Sequence, residues 1–267
     1  MGSRFITLIT WAVYLFLFAP ILVVVILSFN SSQFGSFPFR DFTFHWYATL
    51  LDNQAILDAA KTSLVLGLLV ALISTAIGVL AALALVRHEF LGKGFVLVLI
   101  TAPLLIPETV LGVGLLLFMR TLNQPRSLLL LLIGHVVLTL PFVVMVLQAR
   151  LVGIKRSYEE AARTLGANQV EVLRTVTLPL LAPALFAAAL FAFTVSFDNI
   201  TASMFWRPGG VQTVPTEIFA MLRNSISPEI NALGTVIIAF TLLLPMIGGL
   251  ILRGRAHADL NQNKMGE

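Results

Sequence analysis

The stretch Glu160-Ala161-Ala162-Arg163-Thr164-Leu165-Gly166, followed by Val176-Thr177-Leu178-Pro179, decides how this chain is read. It is polar and charged, and it lies between two long apolar runs, Leu128 to Gln148 and roughly Leu180 to Met204. A connection between two helices needs only a few residues. This one extends from about Leu151 to Leu178 and carries helix signals of its own. Ser157-x-x-Glu160 has the form of a capping box, and Glu159 and Glu160 suit the positive end of a helix dipole. Tyr158 to Leu165 is rich in helix formers. Gly166 is placed to end that helix with a positive φ. Asn168 can cap a second short helix, Gln169 to Thr175, ahead of Pro179. The pattern predicts a helix, a glycine turn and a helix. Tyr158, Ala161, Ala162 and Leu165 share one face at i, i+3, i+4, i+7, and the two alanines leave a shallow surface that a partner can cover closely. Taken alone, the same residues also suit an amphipathic helix lying on a membrane.

Around this loop the chain is apolar. Of 267 residues, 58% are hydrophobic and 11% are charged, and the mean hydropathy is +0.96. Soluble domains run at about 45–50% apolar and about 25% charged, so the composition predicts an integral, all-α membrane protein. At about 20 residues per span, the length suits about six helices in a single transmembrane domain, residues 1–267. There is no cysteine, which excludes disulfides, thiolate nucleophiles and Cys-based metal sites.

The spans follow from the apolar runs. Ile6 to Phe29 is long for a signal-peptide core and lacks a cleavage pattern before Asn30-Ser31-Ser32, so it reads as an uncleaved span. Asn30 to Ala60 is mixed and aromatic, with Gly35, Phe42, Phe44, Trp46 and Tyr47, as befits an interfacial segment. Thr62 to Val86 carries Gly67, Ala71, Ser74, Gly78 and Ala82, a small-residue stripe that lets another helix approach closely. Phe95 to Met119 is broken by Pro103 and Pro107. Leu128 to Gln148, Leu180 to Met204 and Leu233 to Leu252 complete the six. A punctuated segment, Phe205 to Ala232, precedes the last, and a polar tail follows it. Eleven of the 17 Lys and Arg fall on the side of the termini, among them Arg87, Arg156, Arg253, Arg255 and Lys264. The positive-inside rule then predicts cytoplasmic termini and a cytoplasmic loop 151–178.

The loop resembles the Glu-Ala-Ala…Gly…Ile-x-Leu-Pro signature of permease subunits of ABC importers, with Val176 where that family usually has Ile. Ile106-Pro107-Glu108, Ser196-Phe197-Asp198-Asn199 and Pro228-Glu229-Ile230-Asn231-Ala232-Leu233 are similar to stretches of the spermidine/putrescine-type branch. The resemblance implies that the loop is a cytoplasmic helix–turn–helix gripping an ATPase, through Tyr158, Glu160, Ala161, Ala162, Leu165 and Gly166. It further implies a cytoplasmic ATPase dimer, a second permease subunit (a paralogue or a second copy of this chain), an extracytoplasmic solute-binding protein, and a place in the bacterial inner membrane. ATP and magnesium belong to the partner ATPase, and no cofactor is expected in this chain. The solute is expected to be a polyamine or a similar small organic molecule.

Carboxylates inside apolar runs are costly, roughly 2.5–3.5 kcal/mol at the bilayer centre, so they usually face a bundle interior or water. Glu108, after Pro107, and Asp198, with Ser196 and Asn199, are therefore candidates for a solute path attractive to cations. They can equally be interhelical glue, or mark a span that ends before Asp198. His135 reads as a hydrogen-bonded packing residue, and Trp11, Trp46 and Trp206 as interface anchors. No G-x-x-x-x-G-K-[ST] phosphate loop is present, so this chain is not expected to hydrolyse ATP. Nothing points to nucleic acid or to a metal site. A self-contained secondary transporter or channel for a small cation is the alternative, but it leaves the long charged loop without a purpose.

Overall fold

A computed structural model describes the backbone of residues 2–32, 38–224 and 227–265, and side-chain surroundings for 4–32, 38–223 and 227–250. Gly35 and the side chains of Arg253, Arg255 and Lys264 lie outside the described residues. Among those described, secondary structure is helical apart from one isolated bridge, Asn30 to Phe42. The helices are α1 (Gly2–Leu27), α2 (His45–Asp52), α3 (Gln54–Arg87), α4 (Lys93–Leu105), α5 (Glu108–Thr121) and α6 (Leu128–Val152). Then come α7 (Arg156–Thr164), α8 (Gln169–Val172), a π-helical turn (Leu173–Thr177), α9 (Leu178–Phe197), α10 (Thr201–Trp206), α11 (Val214–Asn224) and α12 (Glu229–Met265). Five of these stretches are long and apolar enough to cross a membrane, or six if the bent pair α4–α5 is one span.

The chain divides into two compact units. The first comprises Met1–Asp58 and Thr216–Leu243. Its residues after α1 are knitted together rather than loose. Ser31 N–H bonds the Asp41 carbonyl and Thr43 N–H the Phe29 carbonyl, while the buried Asn30 Oδ1 accepts from Ser32 and Arg40 N–H. Phe29 stacks on Phe42 at 4.9 Å and meets Tyr47 at 5.3 Å. Trp46 Nε1 donates to the Asn30 carbonyl at 2.8 Å.

The second unit, Ala59–Pro215 with Leu244–Glu267, holds the loop 151–178 and the intramembrane carboxylates. Its packing runs along the small-residue stripe of α3. A Cβ on Gly67 would come within 2.9 Å of the Phe193 ring of α9, and one on Gly78 within 2.5 Å of Val143 of α6. Midway between them, Ser74 and Thr139 hydroxyls share a 2.7 Å hydrogen bond. Trp206 is fully buried among Leu66, Val70, Leu130, Leu131 and Ala202. Its ring lies where a side chain on Gly134 would be, 2.0 Å from the ideal Cβ, and its Nε1 donates to the Gly112 carbonyl at 2.8 Å. It is a core residue, not the interface anchor expected from its position between an apolar and a polar segment.

Proline chemistry sets the breaks. Pro107 restricts the residue before it: Ile106 is extended at φ −95, ψ 129, and α4 and α5 meet at 111°. The fifth span ends at Phe197, short of Met204, with Asp198 as its C-cap. After it the chain restarts as α10, helped by Asn199 Oδ1, which accepts the Ala202 N–H at 2.8 Å. The region Phe205 to Ala232 contains α11, and the C-terminal tail is a helical continuation of α12.

Candidate functional site

The charged loop is the best-organised polar feature of the second unit. Helix α7 starts two residues earlier than its capping box implies: Lys155 is the N-cap and no side-chain cap bond forms there. The Ser157 capping box is therefore absent, because the chain turns into the helix before Ser157 and leaves its hydroxyl on the exposed first turn. The other end follows the sequence closely. Gly166 has φ +94. Its N–H bonds the Arg163 carbonyl at 2.9 Å, and the Ala167 N–H bonds the Ala162 carbonyl at 3.1 Å, the paired bonds of a Schellman turn. Asn168 and Glu171 form a reciprocal capping box on α8. The second short helix does not stop at Thr175. It widens into the π turn and runs into α9, so Gln169 to Phe197 is one candidate span.

This geometry sorts the face predicted from periodicity. Tyr158 is 53% exposed and Leu165 88%; Glu160, Ala161 and Gly166 are exposed and Ala162 is half-buried. An open groove of about 550 Å³ alongside α7 is lined by Arg87, Arg156, Glu159, Glu160, Arg163 and Thr177, among others. Two residues of that lining, Glu159 and Arg156, are bonded inward. Glu159 is buried at 8%. Its Oε1 accepts from Arg87 Nε at 3.1 Å and Thr177 Oγ1 at 3.2 Å, and lies 3.0 Å from Arg87 Nη2 in an ion pair. Arg87 Nη2 also donates to the Ile154 carbonyl at 3.0 Å. Arg156 Nη2 donates to the Val86 and Arg87 carbonyls at 3.0 and 3.2 Å, satisfying orphan acceptors at the C-terminus of α3. Arg150 donates to the Leu180 carbonyl.

The polar residues at the helix breaks and beside them divide into two groups. Asn199 Nδ2 donates to Glu108 Oε1, joining the break between α4 and α5 to the break between α9 and α10. Ser196 is buried and bonds His135 Nδ1 at 2.9 Å, while Ser203 Oγ lies 3.2 Å from His135 Nε2. With both ring nitrogens partnered, His135 is a packing residue. Ser203 Oγ also donates to the Asn199 carbonyl at 2.8 Å, so the groups are linked through the α10 backbone. Asp198 is exposed. Glu108 thus pairs with Asn199 and Ser196 with His135, the two pairs linked through Ser203, while Asp198 makes no side-chain hydrogen bond among the described residues.

Sequence reasoning missed the roles of Arg87, Arg156, Thr177, Ser203 and Trp206. Their partners lie far along the chain, 72 residues away for Arg87 and Glu159. One signal was available: two adjacent glutamates on one short helix cannot face the same way, since successive residues are about 100° apart on a helix.

Comparison with known proteins matches residues 74–255 to a family described as the binding-protein-dependent transport system inner membrane component. The chain is 35% identical over 253 residues to the spermidine/putrescine transport system permease protein PotC of Escherichia coli (strain K12), covering 95% of this chain and 96% of that protein. It is 36% identical over 232 residues to the putrescine transport system permease protein PotI of the same organism, covering 84% and 82%. A bacterial ABC transporter involved in the import of the acidic polysaccharide alginate shares the fold, with a TM-score of 0.67 at 21% identity, covering 95% of this chain and 98% of that one. A bacterial alginate ABC transporter in complex with an alginate pentasaccharide-bound periplasmic protein gives a TM-score of 0.72 at 15% identity, with 92% of each chain covered.

Proposed function

We infer the role of this chain from its family: it belongs to the inner-membrane components of binding-protein-dependent transport systems, and it is a permease subunit of an ABC importer. From that premise we place both termini and the loop 151–178 in the cytoplasm. Helix α7 then docks on a cytoplasmic ATPase, one of two in a complex with a second permease subunit and an external solute-binding protein. The observation that carries this reading is the division of α7 into two faces. An isolated nine-residue helix is marginal in water, yet this one presents Tyr158 and Leu165 outward while Glu159 and Arg156 bind it inward. A membrane-surface helix would turn its apolar side chains to the same lipid as its neighbours and would not need buried ion pairing beneath it.

The solute we propose is a polyamine or a similar organic cation. The fold does not choose it, because structural neighbours import an acidic polysaccharide. Support comes from the relatives named for spermidine and putrescine and from two carboxylates, Glu108 and Asp198, at the helix breaks of the second unit. In a partly dehydrated path, each would attract a cation more strongly than it could in water.

Glu160→Lys tests the docking reading. The site is exposed, so folding should change by no more than about 0.5 kcal/mol. The variant should insert normally, lose the ATPase on purification through a tag on this chain, and lose uptake. Full ATPase recovery with normal uptake would refute the docking assignment.

A further inference from the structure

We propose that Glu159, not the exposed Glu160 beside it, is the positioning residue that joins α7 to the transmembrane helices α3 and α9. Displacement of α7 by a docked ATPase then moves both. The inference rests on the docking reading above and deepens it.

The geometry is a three-way joint. One carboxylate oxygen of Glu159 is ion-paired with Arg87, the last residue of α3, accepting a hydrogen bond from its Nε, and accepts another from Thr177, the last residue of the π turn that leads into α9. Arg87 is tied in turn to the Ile154 carbonyl, between α6 and α7. A second bond set runs the other way: Arg156, the first residue of α7, holds the final carbonyls of α3. Helices α3 and α7 therefore grip each other from both sides. Rigid rotation of α7 cannot leave Arg87 and Thr177 behind without stripping a largely buried carboxylate of its donors, which is costly. The π turn is the natural place for α9 to yield, since irregular helical turns of this kind commonly sit at working joints. Thr177 lies at its end, immediately before Leu178-Pro179.

A purely structural ion pair predicts something different. Replacing a buried pair by apolar side chains of similar size is often neutral for stability, so a structural role would survive that exchange. A joint would not, because apolar contacts slide where a directional bond set holds.

The test uses the complete importer in liposomes, with the binding protein carrying whatever ligand it has on purification from cells. Three quantities are read: ATPase recovered with the tagged chain, basal ATP hydrolysis, and its stimulation by the binding protein. Glu159→Gln removes the charge and keeps the shape. The double variant Arg87→Met/Glu159→Met replaces the pair outright and serves if the single one is poorly assembled. In both, ATPase recovery and basal hydrolysis should match the unmodified complex, while stimulation by the binding protein is lost and stimulated and basal rates coincide. Stimulation retained in the double variant would overturn the proposal. So would ATPase recovery falling in step with stimulation, which would make Glu159 part of the docking surface. Failure of the docking reading itself is separately visible, as a Glu160→Lys complex that keeps its ATPase.

Discussion

Two adjacent glutamates, Glu159 and Glu160, show how far one residue step on a helix separates environments. The first is buried against Arg87, and the second is exposed. The same contrast divides the two acids at the helix breaks. Glu108 is held by Asn199, whereas Asp198 is exposed at the end of α9. Substituting them should therefore separate path from glue. Asp198→Asn keeps shape and hydrogen-bonding capacity and disturbs no buried partner, so thermal stability in detergent should stay within about 0.5 kcal/mol. Spermidine uptake per folded complex should nevertheless fall several-fold, by the ~1 kcal/mol order of magnitude that one partly screened charge contributes. Unchanged uptake with lowered stability would assign Asp198 to packing.

At the scale of the element, α7 depends on how it ends. Gly166 sits at φ +94 with open space where a side chain would be. Alanine there meets no neighbour and suffers only the left-handed backbone, about 1–2 kcal/mol. Proline, locked near φ −65, cannot adopt the turn at all. Gly166→Ala should consequently insert and keep most of its ATPase, while Gly166→Pro should insert and lose it. Equal recovery of the ATPase by both variants in a tag-based purification would show that the Schellman turn does not shape the docking surface. The break at Ile106-Pro107 and the π turn at Leu173–Thr177 are the same kind of device. In each, a proline on the C-terminal side disturbs the helix locally rather than ending the domain.

For the molecule as a whole, the division of labour follows from composition. The chain offers long apolar helices and a charged loop, with no phosphate-binding Gly-Lys-Ser/Thr pattern. The purified chain alone should release no phosphate from ATP above a blank. The assembled importer should hydrolyse ATP, and faster with liganded binding protein. Uptake by this chain alone, driven in liposomes by an ion gradient, would overturn the ATP-driven reading in favour of a self-contained transporter.

Local patterns in the sequence determined the helical class, the broken third span, the glycine turn after Leu165 and the capping of α8 by Asn168. They depend on residues within a turn or two of one another, where hydropathy, proline sterics and backbone hydrogen bonding act directly. The small-residue stripe of α3 was equally legible, since 3.6-residue periodicity places Gly67, Ser74 and Gly78 on one side. Only the tertiary structure decided what met that stripe, that Trp206 fills the slot at Gly134, that Ser196 serves His135, and that Glu159 turns inward to Arg87 and Thr177. Those outcomes rest on pairing between residues tens of positions apart. A chain's local chemistry can require that a buried charge or indole find a partner, but packing alone selects which one.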